Sequence, residues 1–138
     1  MTFMTKTKVR FRDVDPAGIV FYPRYFEMLN DAVEDWFATM GVDFRSMHRQ
    51  HRIGVPTVHL TCDFTAPSEL GDELIIEIKP VHIGRSSCTI DYVVRMNEEV
   101  RLAAKAVLVC MDLDARRAIA WPRMLLPQLH DACAALTS

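Results

Sequence analysis

Residues 13–26 read Asp13-Val14-Asp15-Pro16-Ala17-Gly18-Ile19-Val20-Phe21-Tyr22-Pro23-Arg24-Tyr25-Phe26, and they separate a short first strand from a long helix. Asp13 to Gly18 supplies the Asp, Pro and Gly residues of a tight turn. From Phe26 onward the apolar residues Phe26, Leu29, Val33, Trp36, Phe37 and Met40 recur at steps of three and four, which places them on one side of a helix. Pro23 suits the first helical position, where its missing N–H costs nothing, and Gly41 suits the residue just past the end. The helix so bounded has about five turns and one apolar side.

On the N-terminal side, Thr7 to Arg12 reads as a short strand. On the C-terminal side, a polar stretch rich in Arg and His gives way to period two: Val58, Leu60, Cys62 and Phe64 alternate with His59, Thr61, Asp63 and Thr65, a half-buried strand. Ala66 to Asp72 is a turn, Leu74, Ile76 and Ile78 alternate again, and Gly84-Arg85-Ser86 breaks the run before Cys88, Ile90, Tyr92, Val94 and Met96. Asn97-Glu98-Glu99 turns the chain once more. Val100 to Met111 is a long apolar strand suited to burial on both faces, Asp112 to Arg117 leads to a short strand ending near Trp121-Pro122, and Pro127 onward forms a terminal helix. The order is strand, long helix, then several antiparallel strands with short turns and no linker or repeat. The expected architecture is therefore one α+β domain over residues 1–138, a curved antiparallel sheet wrapped around the long central helix. The sheet edge left over favours dimerisation by strand pairing.

Composition narrows the function classes. The chain has 138 residues, half of them hydrophobic, enough for a single core. A net charge of −2 with no basic block gives no footprint for nucleic acid. Charges fall where a signal peptide would carry its apolar stretch, and no apolar run is long enough to span a bilayer, so a cytoplasmic protein without membrane partners is expected. Cys62, Cys88, Cys110 and Cys133 are widely spaced with no Cys-x-x-Cys pair, and the first three fall on apolar sides of alternating stretches; they read as small core residues, with no metal site expected. His48, Arg49 and His51 read as solvent-facing loop residues, and His59 as a structural histidine opposite Val58 and Leu60. No Gly-x-Ser-x-Gly elbow or Gly-rich phosphate loop is present.

The turn-to-helix stretch carries the chemistry. An ordinary aspartate titrates near 3.9, so Asp15 is available at neutral pH either as a nucleophile or as a base for water. The first turn of a helix has N–H groups without intrahelical partners at the positive end of the macrodipole, so a helix starting near Tyr22 offers a donor to a developing oxyanion. By spacing alone, a turn aspartate before a helix is more often a turn former or cap. The run from Asp15 to Pro23, however, resembles the segment Asp-Pro-Ala-Gly-Ile-Val-(aromatic)-Tyr-Pro that precedes the central helix in hotdog-fold acyl-CoA thioesterases of the 4-hydroxybenzoyl-CoA thioesterase family. The strand order is compatible with that fold over essentially the whole chain.

The resemblance implies an acyl-CoA thioester hydrolase acting on a small aryl or short-chain acyl group, with Asp15 as the catalytic carboxylate and the Tyr22 amide on the thioester oxygen. Gly18 would allow close approach, Phe21 and Asn30 would face the acyl group, and Val55 and Thr57 of a neighbouring subunit would line the site. Arg85 and Ser86, in the turn where related enzymes hold phosphates, are the expected coenzyme A contacts, since a guanidinium makes forked, charge-assisted bonds to phosphate; a solvated hairpin turn explains them equally. Asn30 falls where the family's best-known member has an aspartate for the aryl hydroxyl, so the 4-hydroxybenzoyl specificity does not carry over directly. No cofactor is expected beyond the coenzyme A of the substrate itself. The assembly implied is at least a homodimer, extending to a homotetramer. Two other readings share the fold: a non-catalytic acyl-CoA binder, and a hydratase or dehydratase, which would want a catalytic His that this stretch lacks.

Overall fold

The computed structural model describes residues 2–134. In chain order the elements are β1 (Phe3–Lys8), α1 (Pro23–Thr39), α2 (Phe44–Arg49), β2 (Ile53–Gly54), β3 (Thr57–Phe64), β4 (Glu73–Ile83), β5 (Ser87–Met96), β6 (Glu99–Val109), β7 (Met111–Asp112), β8 (Arg117–Ala118) and α3 (Leu126–Ala134). Helix α1 begins at Pro23 as expected, and its buried stripe includes Tyr25, Leu29, Val33, Trp36 and Phe37. It ends at a glycine in the left-handed region: Gly41 has φ +81°, its N–H donates to the Ala38 carbonyl at 3.1 Å, and the Val42 N–H donates to Phe37 at 3.4 Å. These two bonds satisfy carbonyls that the helix end leaves open.

The main sheet has the order β1-β4-β5-β6-β3, all neighbours antiparallel, and a small second sheet pairs β2-β7-β8. Directly opposed residues share a face of the sheet. Ile78, Tyr92 and Ala104 lie in one such row, as do Ile76, Val94 and Leu102, and all are buried. These rows and the stripe of α1 belong to one core cluster, in which each fully buried Leu or Ile contributes about 1.5–3 kcal/mol. The β5–β6 hairpin turns through Asn97 and Glu98, with Asn97 at φ 53°, a conformation that asparagine tolerates better than most residues.

Several expectations need correcting. The first strand spans Phe3–Lys8, with 11–13 a short 3-10 turn, so only Thr7 and Lys8 of the expected strand are in it. Its pairing with β4 is what orders it, because Phe3, Thr5 and Thr7 face inward with little apolar signal of their own. The polar stretch around His48 contains helix α2, capped by the Asp43 carboxylate, which accepts from the Ser46 N–H at 2.7 Å. Strand β6 is not buried on both faces: Lys105 is exposed on the face opposite Ala104 and Ala106, and after Cys110 the chain leaves for the second sheet. The strand expected near Trp121 shrinks to the two residues of β8.

Strand β3 has the face predicted for it, since Leu60, Cys62 and Phe64 oppose the inward Ala106, Ala104 and Leu102. It is nevertheless not half buried. It pairs with β6 on one side only among the described residues, and Val58 is 60% and Phe64 48% exposed. Cys62 is accordingly only partly buried, whereas Cys88 and Cys110 are in the core; burial pushes the Cys88 thiol up to about 12 and Cys110 to about 11. Among the described residues no helix is long and apolar enough to cross a membrane.

Candidate active site

The segment before α1 folds back on itself. Val14 bridges Val20, the Asp15 N–H donates to the Ile19 carbonyl at 3.0 Å, the Gly18 N–H donates to the Asp15 carbonyl at 2.8 Å, and the Phe21 N–H donates to Asp13 at 2.9 Å. Gly18 sits at φ +81°, a conformation that explains the glycine; a Cβ there would meet nothing within 4 Å in this chain. The resulting hairpin carries Asp15, half-buried, opposite Ile19 in the segment that leads into the helix. Its Oδ1 accepts from the Ala17 N–H at 2.8 Å, and its other oxygen accepts from none of the described residues.

Tyr22 is the residue immediately before α1, already in helical conformation at φ −52°, ψ −35°. Arg24 and Tyr25 donate back to the carbonyls of Phe21 and Tyr22 at 2.9 and 3.1 Å, and Pro23 has no N–H. That leaves the Tyr22 amide as the helix-start donor with no acceptor among the described residues. Tyr22 is 57% exposed, and its side chain joins an aromatic cluster, its ring 5.6 Å from Phe21, 6.5 Å from Phe26 and 6.0 Å from Phe64 on β3.

A buried polar network holds this hairpin from behind, and sequence reasoning missed it. The Val20 N–H donates to the Ser68 carbonyl at 2.9 Å, and Ile19 bridges Glu69. The Ser68 hydroxyl accepts from the Tyr25 O–H at 2.8 Å and from Arg101 Nη1 at 3.3 Å, and Arg101 Nη1 also reaches the Pro67 carbonyl at 3.0 Å and Asp72 Oδ2 at 2.9 Å. Glu99 Oε1 lies 2.6 Å from Arg101 Nε, although the N–H does not point at it. Arg101 is an unpaired bulge residue: Val94 opposes Leu102 and Arg95 opposes Val100, so the strand gains a residue there and its side chain is re-aimed. The Glu69 N–H, with the Arg101 guanidinium, holds the Asp72 carboxyl below its usual range, while burial pushes the Tyr25 phenol up. The one available signal was a lone arginine in an apolar run.

The other expected site residues fall in two places. Asn30, Val55 and Thr57 line one cavity of about 180 Å³ with Phe26, Leu29, Val33, Leu60, Tyr92 and Leu108, between the flank of α1 and the inner side of β3. All three thus meet within a single chain. Arg85 and Ser86 form the β4–β5 turn, where the Arg85 carbonyl accepts from the Trp121 N–H at 3.0 Å and the Ser86 carbonyl from Cys110 at 2.8 Å. A Cβ on Gly84 would come within 2.5 Å of the Ser87 hydroxyl, so the turn is tight. It lies at the Leu108 end of the sheet, whereas Asp15 and Tyr22 lie at the Leu102 end, beside Phe64 and Ser68. Those two rows are six residues apart, ~20 Å at ~3.3 Å per residue. One chain therefore does not bring Arg85 to its own Asp15. Among the described residues no group of three or more His, Cys, Asp or Glu is placed to hold a metal.

Comparison with known proteins identifies the family. The family model described as the thioesterase-like superfamily matches residues 9–129. A protein of Nostoc punctiforme called 1,4-dihydroxy-2-naphthoyl-CoA hydrolase is 30% identical over 116 residues, covering 84% of this chain and 78% of that protein. A protein of the same name from Synechococcus elongatus is 28% identical over 118 residues, covering 85% and 87%. Among solved structures, a 1,4-dihydroxy-2-naphthoyl-CoA thioesterase of Synechocystis superposes with a TM-score of 0.84 at 24% identity, covering all of this chain and 99% of that one. A Staphylococcus aureus protein solved in complex with CoA reaches 0.89 at 12% identity, covering 97% and 85%. The likeness runs through the hairpin, the helix and the sheet alike, and this chain belongs to the thioesterase-like superfamily of hotdog-fold proteins.

Proposed function

We propose that the chain hydrolyses the thioester of an aryl-coenzyme A. The observation that carries this reading is the Tyr22 amide, a helix-start donor with no acceptor among the described residues, at the end of the hairpin that carries the half-buried carboxylate of Asp15. The naphthoyl-CoA hydrolases among its relatives point to an aryl rather than a short-chain acyl group. The same reading takes the five-stranded sheet as curved and wrapped around α1 as its central helix.

The thioester oxygen accepts from the Tyr22 N–H, and the helix dipole adds to that polarisation as negative charge builds on the oxygen. Asp15 then acts in one of two ways. As a base it takes a proton from water, whose oxygen bonds the acyl carbon; as a nucleophile its own oxygen makes that bond and water later cleaves the anhydride. In both, the carbon–sulfur bond breaks, the thiolate takes up a proton, and acid and coenzyme A leave. Gly18 and Phe21 border the reacting end, and the cavity of Asn30, Val55 and Thr57 receives the acyl group.

Assembly follows from the unpaired edge of β3 and its exposed apolar side chains, which fit a second copy of the chain. Two-fold antiparallel pairing of β3 sets the Thr57 end of one subunit against the Phe64 end of the other. Arg85 and Ser86 of one copy then approach the reacting end of its neighbour, where they bind the coenzyme A phosphates. A homodimer is the least assembly that completes the site, and pairing of dimers gives a homotetramer.

Replacing Asp15 by Asn is expected to lower kcat by about 10²–10⁴ on aroyl-CoA substrates, measured by thiol release, with the fold intact by circular dichroism. Wild-type turnover in Asp15→Asn would refute the assignment. A single turnover in oxygen-18 water that gives unlabelled acid and puts the label on Asp15 identifies the nucleophilic route with water opening the anhydride at the aspartyl carbon, whereas the base route always labels the acid.

A further inference from the structure

The cavity beside α1 has an uneven polarity. Asn30 and Thr57 are exposed at its mouth, and the walls are Phe26, Leu29, Val33 and Leu108. The exception is Tyr92. It stands on the inner face of β5 between Ile90 and Val94, opposite Ile78 and Ala104, and only 3% of it is exposed. Its hydroxyl makes no hydrogen bond to any described residue. The hydroxyl is not sealed in the core, since the enclosed unpaired side-chain atom among the described residues is Arg101 Nε, so it opens onto the cavity and is free to take a partner there. Strands of this sheet put aliphatic or small residues at the equivalent inward positions, Ile78, Ile90, Val94, Ala104 and Ala106, so packing alone did not require a phenol here.

The dimensions suit an aromatic occupant. An apolar cavity of about 150 Å³ accepts a benzene ring, and this one offers about 180 Å³, room for a single ring with an oxygen substituent. The flank of α1 that forms one wall runs from Phe26 to Val33, starting one turn beyond Tyr22, so an acyl group whose carbonyl sits at the Tyr22 amide extends along the helix into the cavity.

We propose that Tyr92 selects hydroxylated aroyl groups, its phenol hydrogen-bonding an oxygen substituent on the ring seated in this cavity. The inference rests on the thioesterase reading above and adds the residue that discriminates among substrates. Burial, with a smaller contribution from Cys88, pushes the Tyr92 phenol well above its ordinary value, so it stays protonated and donates to the substituent oxygen. Asn30, at the mouth, is too exposed to impose such a choice, because water replaces a lost bond there.

The test compares wild type with Tyr92→Phe on a matched pair, 4-hydroxybenzoyl-CoA against benzoyl-CoA, as the intact assembly. Wild type should favour the hydroxylated member by kcat/KM, and Tyr92→Phe should cut that preference about tenfold or more. Because the hydroxyl has no partner in the described chain, Tyr92→Phe should melt no lower than wild type. Equal losses on both members, an unchanged preference, or a lowered melting temperature would each overturn the assignment. A wild-type protein active on aroyl-CoA with no preference overturns it alone, whereas one inactive on every aroyl-CoA overturns the thioesterase reading and this inference with it.

Discussion

Arg101→Met separates the anchoring of the Asp15 hairpin from the chemistry proposed for it. Methionine fills the space of the arginine stem but supplies none of the three bonds from Nη1 to Pro67, Ser68 and Asp72. Removing one partner of a buried ion pair costs about 3–5 kcal/mol when the other charge is left stranded. Here the Asp72 side chain is 20% exposed and keeps the Glu69 N–H at 2.9 Å, so part of that penalty is relieved and about 2–3 kcal/mol remains. Urea unfolding at pH 7 reads this as a lower midpoint with an unchanged slope. A cycle with Asp72→Asn should show a coupling of about 1 kcal/mol or more. The pH dependence has a definite sign. The Asp72 carboxyl is held low in the folded state, so the pair stabilises fully above the ordinary aspartate value near 3.9 and loses its contribution as pH falls through the folded value. The stability gap between wild type and Arg101→Met should therefore narrow in acid. A gap below about 1 kcal/mol at pH 7, or one unaffected by acid, would show that the network contributes little.

Two further substitutions address coenzyme A and assembly. Arg85→Ala should raise KM more than it lowers kcat, because a phosphate contact far from the reacting carbon acts nearly uniformly along the reaction; steady-state kinetics showing an unchanged KM would remove Arg85 from the site. Val58→Lys puts a charge on the exposed edge strand, where lysine blocks strand addition, so sedimentation should report dissociation toward the monomer; an assembly unaltered by it would place the interface elsewhere.

Helix α1 was legible in the sequence because its boundary residues, Pro23 and Gly41, and its apolar stripe all act locally. The turn bearing Asp15 was legible for the same reason, though the pairing of Val14 with Val20 that makes it a hairpin was not. The features that escaped depend on partners distant in sequence. Strand β1 has weak alternation of its own and is placed by β4. The exposure of β3 follows from its place at the sheet edge, which periodicity does not report. Arg101 owes its burial to a bulge, and Ser68 matters through Tyr25 and Val20, contacts that no spacing rule joins. Helix α2 did have a local signal, Asp43 three residues before Ser46, concealed by the polarity of His48, Arg49 and Gln50. Asn30, Val55 and Thr57 were singled out through a family resemblance, and the fold brings them to one cavity that also contains Tyr92, whose strand was read correctly but whose hydroxyl was not weighed.

The order β1-β4-β5-β6-β3 also sets the sequence of events by which the molecule is made. Strands β4, β5 and β6 are joined by short turns and form by local hairpin closure, but Phe3 must find Ile78 and Thr57 must find Leu108 across much of the chain. Contacts of that span are slow, since the entropy of closing the loop is lost before the contact rewards it. The N-terminal half, with the Asp15 hairpin and the apolar stripe of α1, leaves the ribosome before the strands that will cover it exist. The meander is the platform, and the end that carries Asp15 is the last part of the protomer to become itself.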